Sequence, residues 1–262
     1  ATTKLDTRPE FPPNVAHPTA RRWPRLEELI IREPNSAAVE ALGAETWGSL
    51  HTFRLSYHNF RGIVFHARPP LDAAFVRALA AALGRMPALR SLKLRCMAVS
   101  DAAAGELFRA APQVHELLIF NAQLTLAAVR TLAATNWRLK ALNMAANGIV
   151  GGGGLAALLA APTFAIRHLG LSTCQLDAAA LLDVANAPWP LEELDLSQNP
   201  FSADAAGPAL TALSRHVGLR KLVIRSCRLS AAGFKALVEA AWPALTYLDA
   251  GGAQVASSGP NA

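Results

Sequence analysis

Cys174 and Cys227 are the side chains best suited to chemistry in this chain. A pair of thiolates can hold a soft metal or cycle through a disulfide. Their setting argues against both uses. Each falls in the same slot of a recurring pattern, where the side chain turns inward to backbone groups. They stand two pattern copies apart, too far to bridge. Cys96 falls one residue before its slot, with no His or Asp at ligand spacing, and reads as a free thiol. The run Gly151–Gly154 has the look of a phosphate-binding turn, but no Lys-Ser or Lys-Thr follows it. Among seven histidines, His51, His115 and His168 recur at related positions, without H-E-x-x-H or a Ser/His/Asp arrangement. The expectation is a protein that is not an enzyme, with no catalytic residue, no metal and no cofactor.

The elements that would carry any site come from the repeat. The template L-x-x-L-x-L-x-x-N/C-x-L fits Leu139, Leu142, Met144, Asn147 and Ile149. It fits Ile166, Leu169, Leu171, Cys174 and Leu176, and again Leu191, Leu194, Leu196, Asn199 and Phe201. Leu219, Leu222, Ile224, Cys227 and Leu229 make a fourth full match. Copies from Leu89 and Val114 carry Met97 and Ala122 in the Asn/Cys slot, and a last copy starts at Leu245. Weaker copies start at Leu26 and Leu50. Successive starts lie about 24 to 28 residues apart, except between Leu50 and Leu89. There the extra segment Arg61–Pro70 is expected to bulge out between strand and helix.

Each copy alternates in its first half and is helical in its second. Ala103 with Leu107, Ala128 with Leu132 and Gly233 with Leu237 share helix faces. Helices are expected over Asp72–Gly84, Ser100–Ala110, Leu126–Ala134, Asp177–Ala185 and Ser230–Ala240. Asp101, Asp177, Ser202 and Ser230 stand near helix starts, where a side-chain oxygen can cap free N–H groups. Pro87, Pro112, Pro162 and Pro243 end helices before the next strand.

These motifs resemble a leucine-rich repeat protein of the long-repeat, ribonuclease-inhibitor-like subclass, and the repeat tails of F-box proteins. The resemblance spans Leu26 to Val255. It implies an α/β solenoid of about nine repeats, a horseshoe with parallel strands on the concave face and helices on the convex face. Residues 1–25 read as a proline-rich arm, 26–256 as the repeat domain and 257–262 as a polar tail.

Composition agrees. The 262 residues are 52% hydrophobic and 17% charged, too apolar for a disordered chain. Alanine is about a fifth of the total, so the core depends on leucines in register. No apolar run is long enough to span a membrane. Three cysteines do not make a disulfide framework. The net charge of +6 permits an acidic partner without naming one.

Residues between the strand leucines should project from the concave face. The middle L-x-L position carries Ile30, Arg54, Lys93, Leu118, Asn143, Gly170, Asp195, Val223 and Asp249. Two residues further come Arg32, Ser56, Arg95, Phe120, Ala145, Ser172, Ser197, Arg225 and Gly251. Arg54, Arg90, Lys93 and Arg95 form a basic cluster beside Tyr57, Leu118 and Phe120, a mixed charged and aromatic patch. Glu192, Glu193 and Asp195 adjoin Arg220, Lys221 and Arg225, where pairing across strands is expected.

The expected function is non-enzymatic binding of a protein partner by the concave face. The expected contacts are Arg54, Tyr57, Arg90, Lys93, Arg95, Phe120 and Arg225. An architectural subunit of a large assembly and the substrate-recognition part of an F-box-type ubiquitin ligase are the alternatives. Nucleic acid is not an expected partner, because bases and acids interleave and no recognition motif occurs. An intracellular setting, cytoplasmic, nuclear or in an organelle, is the expected location.

Overall fold

The structure is a computed structural model. It describes residues 4–7, 20–21, 23–57, 71–148, 152–201 and 206–252. Arg61–Pro70, Ser202, Val255 and the 257–262 tail lie outside the described residues. Two compact units divide the chain, Ala1–Ala141 and Leu142–Ala262.

The first unit alternates strand and helix. In order come β1 (Lys4–Thr7), β2 (Glu28–Arg32), α1 (Ser36–Gly43), β3 (Thr52–Ser56), α2 (Ala73–Gly84), β4 (Ser91–Arg95), α3 (Asp101–Ala110), β5 (Glu116–Phe120) and α4 (Leu126–Ala133). The five strands pair in sequence order, all parallel. A parallel return needs a long crossover, and from β2 onward that crossover is a helix, α1 to α4.

Alternation sorts the side chains. Leu29, Ile31, Phe53, Leu55, Leu92, Leu94, Leu117 and Ile119 are buried on one face. Val39, Leu42, Val76, Leu79, Leu107, Phe108, Val129 and Leu132 bury the helix stripes. Each leucine sequestered this way contributes about 1.5–3 kcal/mol. Phe108 meets Trp137 edge-on at 5.6 Å. The Trp137 indole N–H donates to the Phe108 carbonyl at 2.9 Å, so this tryptophan is a core residue with a satisfied polar tip.

The helix starts follow short polar residues. Asn35, Asp72, Ser100 and Thr125 accept backbone N–H bonds at the caps of α1 to α4. Asp101, read from sequence as standing near the helix start, is the first helical residue rather than the cap. Its carboxylate accepts from the Thr125 hydroxyl. One strand escaped the sequence reading. The template begins at Leu26, but β1 lies upstream, inside the proline-rich arm. The guanidinium of Arg32 donates to both carboxylate oxygens of Asp6, at 2.8 and 2.7 Å, and holds β1 against β2.

The second unit repeats the plan with shorter strands: β6 (Ala141–Asn143, at the boundary), α5 (Gly152–Leu159), β7 (His168–Gly170), α6 (Ala178–Ala185), β8 (Glu193–Asp195), α7 (Ala206–Leu213), β9 (Lys221–Val223), α8 (Ala231–Glu239) and β10 (Tyr247–Asp249). β7 to β10 pair in order and in parallel. Asn199 ties copies together. Its amide donates to the carbonyls of Leu171 and Leu196, and its oxygen accepts from the N–H of Cys174 and Leu176. The thiols of Cys174 and Cys227 donate to the carbonyls of Met144 and Leu196, each at 3.2 Å. These two cysteines are therefore buried structural groups, as their slot implied.

A left-handed residue turns the chain at the end of many strands. Glu33, Cys96, Asn121, Ala146, Thr173, Gln198 and Ser226 all have φ between 49° and 58°. None of them is glycine, so each turn stores some backbone strain.

Candidate partner-binding face

Side chains on the other face of β2 to β5 form rows across the strands. The strand register sets them. Glu28, Thr52, Ser91 and Glu116 make the first row, and Ile30, Arg54, Lys93 and Leu118 the second. Arg32, Ser56, Arg95 and Phe120 make the third. Four of the expected contact residues, Arg54, Lys93, Arg95 and Phe120, therefore share one face of one unit.

The second row sets two like charges directly opposite each other. Such a pair is destabilising unless something compensates. Arg54 has Glu28 at 3.9 Å, a long contact on a partly exposed surface. Lys93 has no hydrogen-bond or ion-pair partner among the described residues. Arg54 Nε itself and Ser91 Oγ are buried without a hydrogen-bond partner among the described residues, as is His115 Nδ1. A buried polar group left unpaired costs about 1–3 kcal/mol. The second row thus holds a like-charge pair for which the long Arg54–Glu28 contact is the ion pair present among the described residues.

The third row is partly self-satisfied. Arg95 lies over the Phe120 ring, 5.1 Å from its centroid. The ring and the guanidinium together present a flat surface that is both apolar and cationic. Arg32 is committed to Asp6. That ion pair also raises the Arg32 pKa, with the hydrogen bond it donates to Asp6 the largest cause.

The remaining expected contacts lie elsewhere. Tyr57 is half-buried and its hydroxyl donates to the Pro34 carbonyl at 2.7 Å, so it braces the turn after β2. Arg90 precedes β4 and donates to the carbonyls of Pro87 and Leu89. By strand alternation it falls on the opposite parity from Lys93 and Arg95. Arg225 belongs to the other unit, where it pairs with Asp249 at 3.4 Å. Ile30, expected to project, is buried at 2% exposure.

The sequence reading missed Glu28, Ser91 and Glu116. They occupy the same face one alternation step nearer the strand start, so the rule used for Lys93 and Arg95 reaches them when extended by two residues.

In the second unit, charges cancel between neighbours. Glu193 pairs with Lys221 at 3.6 Å, and Arg167 pairs with Glu192. Lys221 also lies 5.8 Å from the Tyr247 ring centroid. The expected pairing of the 192–195 acids with 220–225 bases thus occurs at Glu193, while Glu192 and Arg225 find other partners. Asn143, Asp195 and Asp249 each accept a backbone N–H two residues on, from Ala145, Ser197 and Gly251. Those side chains shape turns.

Among the described residues no group of His, Cys, Asp and Glu is placed to hold a metal ion. No helix of the described residues is long and apolar enough to cross a membrane.

No family model and no curated protein matches the sequence. Among solved structures, an internalin (inlF) from Listeria monocytogenes str. 4b F2365 is similar, with a TM-score of 0.50 at 13% identity. The likeness covers 86% of this chain and 54% of that one, so the chain spans about half its length. At that identity the likeness shows fold alone. Together with alternating elements, parallel pairing and the recurring Asn/Cys slot, it establishes a leucine-rich-repeat fold.

Proposed function

We propose that this chain is a non-enzymatic protein-binding module that uses the outward face of β3, β4 and β5. The observation that carries this reading is the Arg54–Lys93 pair, two cations directly opposite each other on neighbouring strands, with Lys93 unpaired among the described residues. A partner that brought carboxylates to this face would offset their repulsion. The parallel strands of leucine-rich repeats give a wide preformed surface, which suits protein partners. Long repeats, each closed by a helix, support the ribonuclease-inhibitor-like subclass.

The test is affinity capture from the native source, followed by mass spectrometry. The bait is the full chain, beside a variant carrying Arg54→Glu, Lys93→Glu and Arg95→Glu. A partner captured by the first and lost from the second supports the proposal. A stable multi-subunit complex retained by both would overturn it in favour of an architectural role. Ubiquitin-ligase components retained by both would overturn it in favour of a ligase subunit that uses another surface.

A further inference from the structure

We infer that the β3–β5 face takes an extended segment of a partner protein bearing acidic side chains at alternate positions. This rests on the binding reading above and names the chemistry of the partner. Lys93 and Arg95 stand two residues apart on β4, in register with Arg54 and Ser56 on one side and with Leu118 and Phe120 on the other. At about 3.3 Å per residue, their side chains leave the strand about 6.6 Å apart. An extended peptide places alternate side chains at the same interval. Its carboxylates therefore meet the two cations in step, whereas acids spaced by three fall on opposite faces of the segment.

The surroundings select against other anions. In the first row Glu28 is paired with Lys4 of β1 at 3.1 Å, while Glu116 at the β5 end has no ion-pair partner among the described residues. The Glu116 carboxylate repels a polyanion that must run across the sheet. Leu118 and Phe120 flank the cations with apolar surface, which suits the stem of a Glu or Asp side chain. Among the described residues of this face no column of exposed aromatic rings offers itself to stacked bases, since Arg95 already covers Phe120. Among the described residues, Lys93 supplies an uncommitted ammonium, and Arg54 a guanidinium whose ion-pair contact is the long one to Glu28.

Fluorescence anisotropy with the full chain tests this. One labelled peptide has Glu at alternate positions in a Thr background. A second has the same number of Glu at every third position. The third probe is a single-stranded oligonucleotide of equal charge. The alternating peptide is expected to bind about fivefold tighter than either competitor. Lys93→Gln and Arg95→Gln should each weaken it by about tenfold, Lys93→Arg should retain it, and Glu116→Gln should tighten it. Thermal melts of all variants establish that they fold, and Lys93→Arg separates loss of charge from loss of fold. Equal binding of the two peptides, or oligonucleotide binding as tight, would overturn the inference. If the peptides fail while the native partner is still lost from the triple variant, the binding face stands and the acidic spacing falls.

Discussion

The Asn199 side chain accepts the backbone N–H of Cys174 at 2.9 Å, joining two repeats across one buried slot. The same amide reaches the carbonyls of Leu171 and Leu196 and the N–H of Leu176. Few side chains can serve so many backbone groups at once; Met97 and Ala122, in the same slot of other copies, carry no amide to do so.

Asn199→Ala leaves those groups buried and unpaired. At about 1–3 kcal/mol for each unsatisfied group, a loss of about 3 kcal/mol or more is expected in denaturant unfolding. Asn199→Cys, the residue used at Cys174 and Cys227, should recover part of it through a thiol bond to a carbonyl. A loss below about 1 kcal/mol in the alanine variant would show that the slot is dispensable.

Gly170 makes room for Asn143. A Cβ at position 170 would stand 2.4 Å from Asn143 Nδ2 and 2.7 Å from its Cγ. Gly170→Ala must displace that side chain and break its bond to the Ala145 N–H. A cost of about 1–2 kcal/mol is expected, and Asn143→Ala in the same chain should remove most of it. Simple additivity of the two substitutions in thermal unfolding would refute this contact.

The three thiols should react in sequence. Burial pushes Cys174 and Cys227 up to about 11 from an ordinary value of 9.0. Cys96 is partly exposed. Iodoacetamide at about pH 8 should label Cys96 first and the other two only on unfolding, as read by intact mass and peptide mapping. The folded chain keeps these protons longer than the unfolded chain does. Stability should therefore fall as pH rises from about 9 to about 11, and regain nothing beyond.

Thr173 is β-branched and sits at φ 56°. That conformation disfavours a branched side chain, while Asn and Gly tolerate it. Thr173→Asn and Thr173→Gly should each raise stability by about 0.5–1 kcal/mol, less the exposed bond from its hydroxyl to Gln198 Oε1. A lower melting temperature in both variants would count against strain at this turn.

Much of this protein is legible before any folding. Leu169, Leu171, Cys174 and Leu176 recur in type and spacing at Leu194, Leu196, Asn199 and Phe201 because each copy makes the same strand, turn and helix. Local geometry decides them: strand alternation sends leucines to one face, and a short polar residue starts each helix. The residues projecting on the other face, Arg54, Lys93, Arg95 and Phe120, follow from the same alternation.

What alternation leaves open is which projecting groups find partners, because that depends on chain distant in sequence. Arg32 meets Asp6 only because β1 docks on β2, and Lys4–Thr7 carries no repeat signature to announce it. Arg90 looks equivalent to Arg95 as a residue type, yet it bonds the loop carbonyls of Pro87 and Leu89 while Arg95 covers Phe120. Arg225 is neutralised by Asp249 from the next strand, whereas Lys93 meets Arg54 on one side and Leu118 on the other. The sequence by itself determined the repeat, its core and the direction of its side chains. The tertiary structure alone decided where charge stays uncompensated, since pairing is a property of neighbouring strands and not of the strand that carries the residue.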